Sequence, residues 1–394
     1  MTGAMTDTLD SFRAAVMADP EIQFELARQT DIAEFERVAR AWAGQRGLAL
    51  GPDDFAGTGP DPVGLRMIQP APLSGPDWPA LQWLPLRFAF EGPGIDWCHF
   101  AGEPLAGPFY HDTVRRIRER PFNQLFRYRT PLETLTTSPC EGLMPQGFIY
   151  HMSRCGSTLV SQMLAAVPGT IMASEPGPLD TIVQLPLLDP RVPPEFHVEA
   201  VRAMVRAIGR DRSGSSNRYF LKLDSWHTLA LPLFRAAFPE VPWIFLYRDP
   251  VEVLVSQLRA RGPQTEPGVL PGHLFGFAPG EEQIPDIDYV ARVLAATCGA
   301  VLDCWGMGGG MLVDYRELPG AMFDRILPHF GYAPGADELA LMQAASSRDA
   351  KAPSVAFTDD REAKHREADE SVRAVADRYL AGVYARLQEL RTTS

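Results

Sequence analysis

Alternating strand and helix signals from Gly147 onward predict an α/β protein, with a mostly parallel sheet in a three-layer arrangement, preceded by a small helical module. Three observations carry that prediction. Five short apolar, β-rich runs, at 148–150, 170–172, 219–223, 243–247 and 311–314, are separated by stretches with helical spacing. Two of these runs end in tight turns that open directly into a helix, at 153–158 and at 248–250. Residues 9–55 place apolar side chains at three- and four-residue steps. Parallel strands buried on both faces read as unbroken apolar runs, and such sheets bind ligands beyond the carboxyl ends of their strands.

Length and composition bound the function. A chain of 394 residues with 45% hydrophobic content can bury a full core. A formal charge of -12 argues against a general role on nucleic acid or at a membrane surface, so an anion site here has to be a local pocket. The five cysteines, Cys98, Cys140, Cys155, Cys298 and Cys304, are scattered and form no CxxC pair. That pattern suits a reducing cytoplasm and supplies no zinc framework. No leader with a basic start and an apolar middle is visible, and the most apolar late stretch, 290–313, is interrupted by Arg292 and Asp303. No membrane span is expected.

The N-terminal segment, 1–56, reads as helices. Leu9, Phe12 and Val16 share one face; Asp19-Pro20 reads as an N-cap followed by the first helical residue; Ile32, Phe35, Val38, Ala39 and Trp42 continue the pattern, and Gly47 ends it. With its closing Gly-Leu-Ala-Leu-(x)3-Asp-Phe segment, this module resembles the leader-peptide-like helical domain named after nitrogen-fixation gene clusters. The resemblance implies a peptide or protein partner; a plain helical cap on the following domain is the other reading. Residues 57–140 open with a linker dense in Gly and Pro and continue into two aromatic-rich runs, 83–90 and 97–100, around Glu91-Gly92-Pro93-Gly94, which predict a hairpin. A basic helical stretch, 113–120, follows, its arginines reading as a solvated face.

The third segment, 141–394, holds the chemistry. In Gly147-Phe-Ile-Tyr-His-Met-Ser-Arg-Cys-Gly-Ser-Thr-Leu159, a short strand turns through Ser153 to Thr158 into a helix. A glycine there lets backbone approach a ligand closely, and the unpartnered N–H groups of the following helix favour an anion. Ser157 and Thr158 add hydroxyl donors, and Arg154 adds a planar cation suited to phosphate. A nucleoside-triphosphatase loop would carry Lys after the Gly, where Ser157 stands. A Cys-x5-Arg phosphatase loop would need Arg at 161, which is Ser161. Cys155 beside positive charge raises the prospect of a lowered thiol pKa. His151, inside the strand, reads as a core or supporting residue.

Four further signals follow in the same segment. Trp243 to Ser256 reads as a buried strand, then Arg248, an Asp249 N-cap, Pro250 in the first helical position, and Ser256 two turns on. Tyr219-Phe-Leu-Lys-Leu-Asp224 is a strand ending at Lys222. Ala173-Ser-Glu-Pro176 puts Glu175 just after another strand. Asp314-Tyr-Arg-Glu-Leu-Pro319 closes the last one.

Together these motifs resemble those of sulfotransferases that use 3'-phosphoadenosine-5'-phosphosulfate, with the tyrosylprotein branch nearest in style, and the likeness runs from Gly147 to about Leu387. It implies a P-loop-like domain. Arg154, Cys155, Gly156, Ser157 and Thr158 would bind the 5'-phosphosulfate, and Arg248 with Ser256 the 3'-phosphate. Lys222 would assist the leaving group, Tyr315 would lie near the nucleotide, and Lys351 with Arg348 would close over it. The catalytic set implied is Glu175, Lys222 and Arg154, with Glu175 as general base and Asp224 or His227 as alternatives. No metal is expected. The acceptor implied is a hydroxyl-bearing small molecule or peptide. A P-loop small-molecule kinase and a catalytically silent peptide-binding module of the same fold are the competing readings.

Overall fold

The computed structural model describes residues 3–55, 72–90, 92–138, 141–348 and 360–393. The chain forms two compact units: residues 1–143 with 176–216, and residues 144–175 with 217–394.

The first unit combines the N-terminal helices with a four-stranded sheet. Helices Gly3–Met17, Pro20–Ala27 and Ile32–Gly44 lie where the apolar spacing places them. The Asp19 side chain accepts the N–H groups of Glu21 and Ile22, Pro20 takes the first helical position, and Gly47 sits at a φ of 74°. The predicted hairpin is present as β2 (Trp83–Ala89) and β3 (Gly94–His99), after a two-residue β1 (Leu73–Ser74). Its partner on the other side, β4 (Tyr128–Pro131), was not legible in the sequence: four residues show no alternation of their own. The tie is a charge ladder. Asp96 on β3 is buried directly opposite Arg87 and Arg129, at 2.9 and 2.6 Å, and an acid desolvated this far is tolerated only between such partners. Trp83 Nε1 donates to Gln23 Oε1 at 2.8 Å, joining sheet and helices. Part of the predicted linker, 56–71, lies outside the described residues.

The second unit is α/β. Its sheet has five strands, all parallel: β5 (Gly147–His151), β6 (Thr170–Ser174), β7 (Arg218–Lys222), β8 (Trp243–Tyr247) and β9 (Gly310–Asp314), in the order β6-β7-β5-β8-β9. All five sequence-predicted strands are there. Every residue of β5 and β8 is buried, as a sheet covered on both faces requires. After β5 the chain passes to one side of it, and β8 and β9 are added on the other. The direction of strand addition therefore reverses at β5, and a crevice opens at the carboxyl ends there. The helix Asp286–Cys304 with the turn Trp305–Met307 is the one segment among the described residues long and apolar enough to cross a membrane. It buries Tyr289, Val293, Leu294, Thr297, Cys298 and Val301 within this unit.

Candidate functional site

Register brings the candidate residues to one edge. On the β7 side, Lys222 pairs with Ile149 of β5 and Ser174 of β6, so Glu175, one residue on, stands beside Lys222, its N–H bonded to the Lys222 carbonyl at 2.8 Å. On the other side His151 pairs with Leu246, which places the turn after β5 next to Arg248.

The turn after β5 is bent by three left-handed backbone conformations within four residues. Ser153, Arg154 and Gly156 have φ of 71°, 52° and 87°, and Glu175, just after β6, is at 51°; among the described residues the other non-glycine residue at positive φ is Ala101. Left-handed backbone at non-glycine residues costs energy and gathers at functional sites, where surrounding structure holds it in place. At Gly156 the glycine is required twice over. Beyond its φ, a Cβ would come within 2.8 Å of the Tyr315 ring and 2.9 Å of Leu318. Gly156 caps the helix Ser157–Ala165 with no side chain in the way, leaving the first turn of a nine-residue helix facing the crevice.

The crevice is a cleft of about 310 Å³ lined by Arg154, Cys155, Gly156, Ser157, Thr158 and Leu159 from the turn and by Arg248, Ser256, Arg259 and Ala260 from the strand-to-helix unit after β8. Tyr315, Arg348, Asp360 and Lys364 complete it. Both predicted anion-binding motifs therefore face one cavity. Tyr315 joins them physically: its ring packs on Gly156 and lies under the Arg248 guanidinium, 3.9 Å from carbon to ring centroid. Asp249 caps its helix by accepting the N–H groups of Val251 and Glu252. Arg154 donates to the Ala260 carbonyl, which fixes the turn to the end of the helix Pro250–Arg259.

Behind Thr158 lies the titratable cluster. Lys222 is fully buried, with Nζ 3.0 Å from Glu175 Oε1 and 3.4 Å from Thr158 Oγ1. His151 Nδ1 accepts the Ser153 N–H at 3.1 Å, which puts the imidazole proton on Nε2. From there it points at both the Leu223 carbonyl, 3.0 Å, and Glu175 Oε1, 3.2 Å. Burial pushes the Glu175 carboxyl up, but the Lys222 charge and the His151 bond outweigh it, and the group is held well below the usual carboxylate range. Burial likewise lowers the His151 imidazole, only partly opposed by Glu175, so the ring is a neutral donor. The sequence marked His151 as supporting; the structure makes it the link between the bent turn and Glu175.

Some expectations change. Cys155 lines the cleft, yet its thiol is fully buried and donates to the Leu246 carbonyl at 3.1 Å. Burial pushes it up to about 12, opposite to the lowering that nearby positive charge suggested, because desolvation of a thiolate outweighs the Arg248 and Lys222 charges. Under native conditions Cys155 should therefore resist iodoacetamide while Cys304, the one incompletely buried thiol of Cys98, Cys155, Cys298 and Cys304, is modified first; peptide mapping showing early labelling of Cys155 would contradict this. Asp224 and His227, like Glu175 and Lys222, are not among the residues that line the cleft. Lys351 lies outside the described residues. Sequence reasoning missed Lys364, Asp360, Glu252 and Arg259. Lys364 and Asp360 sit in a charged stretch with no motif, and only their place against Arg248 distinguishes them.

No family model matches the chain, and no curated relative does. Among solved structures the chain is similar to the sulfotransferase domain of the Synechococcus olefin synthase, at 17% identity over 64% of this chain and 95% of that one, with a TM-score of 0.37. It is similar as well to the sulfotransferase domain of the curacin biosynthetic pathway, at 15% identity over 64% and 99%, TM-score 0.38, and to a sulfotransferase from Alicyclobacillus acidocaldarius, at 16% identity over 64% and 96%, TM-score 0.38.

Proposed function

We propose that the second unit transfers a sulfuryl group from 3'-phosphoadenosine-5'-phosphosulfate to a hydroxyl acceptor. The observation that carries this reading is the single cleft lined by both anion-binding motifs, with an ionised carboxylate and a buried lysine directly behind one wall. Arg154 and the turn through Thr158 hold the 5'-phosphosulfate, and Arg248 with Ser256 holds the 3'-phosphate. The acceptor oxygen attacks sulfur in line, the bond from sulfur to the bridging phosphate oxygen breaks, and the acceptor proton passes to Glu175. Negative charge then grows on the bridging oxygen, where a cation stabilises the transition state more than the ground state.

Lys222 stands between the two tasks. Its Nζ lies within reach of both Glu175 and the Thr158 hydroxyl. A carboxylate gripped by a lysine is a weak base, so a shift of Nζ toward the leaving oxygen strengthens Glu175 as it is needed. His151 acts as a positioning residue, keeping the carboxylate aimed after the lysine has moved. A transferring sulfuryl carries less charge than a phosphoryl, so Arg and Lys suffice where a kinase uses magnesium.

The test is incubation of the full chain with donor labelled in the sulfuryl group and a panel of peptide, sugar and lipid alcohols, in chelator. Expected are binding of 3',5'-bisphosphoadenosine without metal and transfer of label to at least one class of alcohol. Magnesium-dependent turnover of ATP with no sulfuryl transfer would replace this reading with a kinase.

A further inference from the structure

The helix Arg361–Glu367 and the residue before it bring to the cleft two side chains that no motif marks. Lys364 is buried, with Nζ 2.7 Å from Oδ2 of Asp360, while Nη2 of Arg248 lies 2.9 Å from Oδ1. One carboxylate thus bridges two cations, one oxygen to each. The Arg248 and Lys364 side chains are 6% and 5% exposed, that of Asp360 39%, so the cations form the floor and the acid stands on the open side.

The surroundings make Asp360 the replaceable member. Glu252, the other acid on Arg248, is buried and bonds Nε on a different edge of the guanidinium. His365 Nε2 lies 3.4 Å from its second oxygen. Asp360 makes no cap bond to the helix it precedes, so its carboxylate can leave without unwinding that helix. At the other end Glu367 pairs with Arg259, which holds the helix on the cleft.

We propose that Lys364 is the second cation of the pocket built on Arg248, and that Asp360 is its resident counter-ion, displaced when the ligand's 3'-phosphate enters. The proposal rests on the nucleotide reading above and adds the residues that set selectivity for a 3'-phosphorylated ligand. A phosphate can take both bonds the carboxylate makes, and a dianion between two buried cations is held more strongly than the monoanion it replaces. Before ligand enters, Asp360 in turn keeps the buried Lys364 from standing as a bare charge beside Arg248, which Glu252 also pairs. Affinity is then the outcome of a competition that Asp360 sets.

Calorimetric titration of wild type, Asp360→Asn and Lys364→Met with 3',5'-bisphosphoadenosine and with adenosine 5'-phosphate tests this. Asp360→Asn is expected to bind the bisphosphate severalfold to about tenfold tighter, with adenosine 5'-phosphate unchanged. Lys364→Met is expected to lose about ten- to a hundredfold for the bisphosphate and little for the monophosphate. Equal or weaker bisphosphate binding by a folded Asp360→Asn overturns the proposal, and that variant suffices if Lys364→Met does not fold. If neither nucleotide binds wild type, the nucleotide reading falls. Inorganic pyrophosphate then decides the pocket: tighter binding by Asp360→Asn upholds the counter-ion role and equal binding overturns it.

Discussion

Glu175→Gln is expected to lower turnover by about 10²- to 10⁴-fold, the usual contribution of a positioned general base, while the affinity for 3',5'-bisphosphoadenosine stays within about twofold of wild type. The amide keeps the shape and can still accept from His151 and Lys222, so the loss isolates the proton transfer. The same variant carries a stability signature. Lys222 is fully buried and loses its counter-charge, so stability at neutral pH should fall by about 1–3 kcal/mol in denaturant titrations.

The pH dependence has a definite sign. A carboxyl held below its unfolded value stabilises the fold above that unfolded value, near pH 4.3, and loses the contribution as pH falls through the folded value. The gap between wild type and Glu175→Gln should accordingly be full at neutral pH and close only in strong acid. Unchanged turnover in the variant would remove Glu175 as the base, and Asp224 and His227 would be tested next.

Arg248→Ala is expected to weaken 3',5'-bisphosphoadenosine binding by about ten- to a hundredfold, the range for losing a charge-assisted pair of hydrogen bonds. Binding of adenosine 5'-phosphate should change little, because the turn at 154–158 is anchored separately through Ala260. Arg248→Lys should recover only part of the loss: it restores charge but neither the flat stack on Tyr315 nor the simultaneous contacts to Glu252 and Asp360. Wild-type affinity in Arg248→Ala would show that the 3'-phosphate, if bound, lies elsewhere.

What could be read in advance was local. The five strands of the parallel sheet announce themselves as apolar runs. The Asp19-Pro20 and Asp249-Pro250 starts are capping chemistry within three residues, and the need for glycine at 156 follows from the strand-to-helix turn around it. The motifs at 154–158 and 248–256 were recognisable for the same reason: each is a contiguous piece of chain whose backbone geometry its own residues dictate.

Four residues of β4 escaped because a short strand is stabilised by its neighbour, here through Asp96 and Arg129 on facing strands. The state of the Cys155 thiol could not be read from the sequence because its pKa depends on burial that the sequence does not display. Thus the chain by itself determined the α/β architecture and the two phosphate-type motifs, since both arise from interactions over a few residues. Tertiary structure alone decided that His151 steadies Glu175, and that Arg248 meets Asp360, 112 positions away, beside Lys364. Electrostatic partners are chosen by distance in space, and only the packing of the helix Arg361–Glu367 onto the cleft makes those distances short.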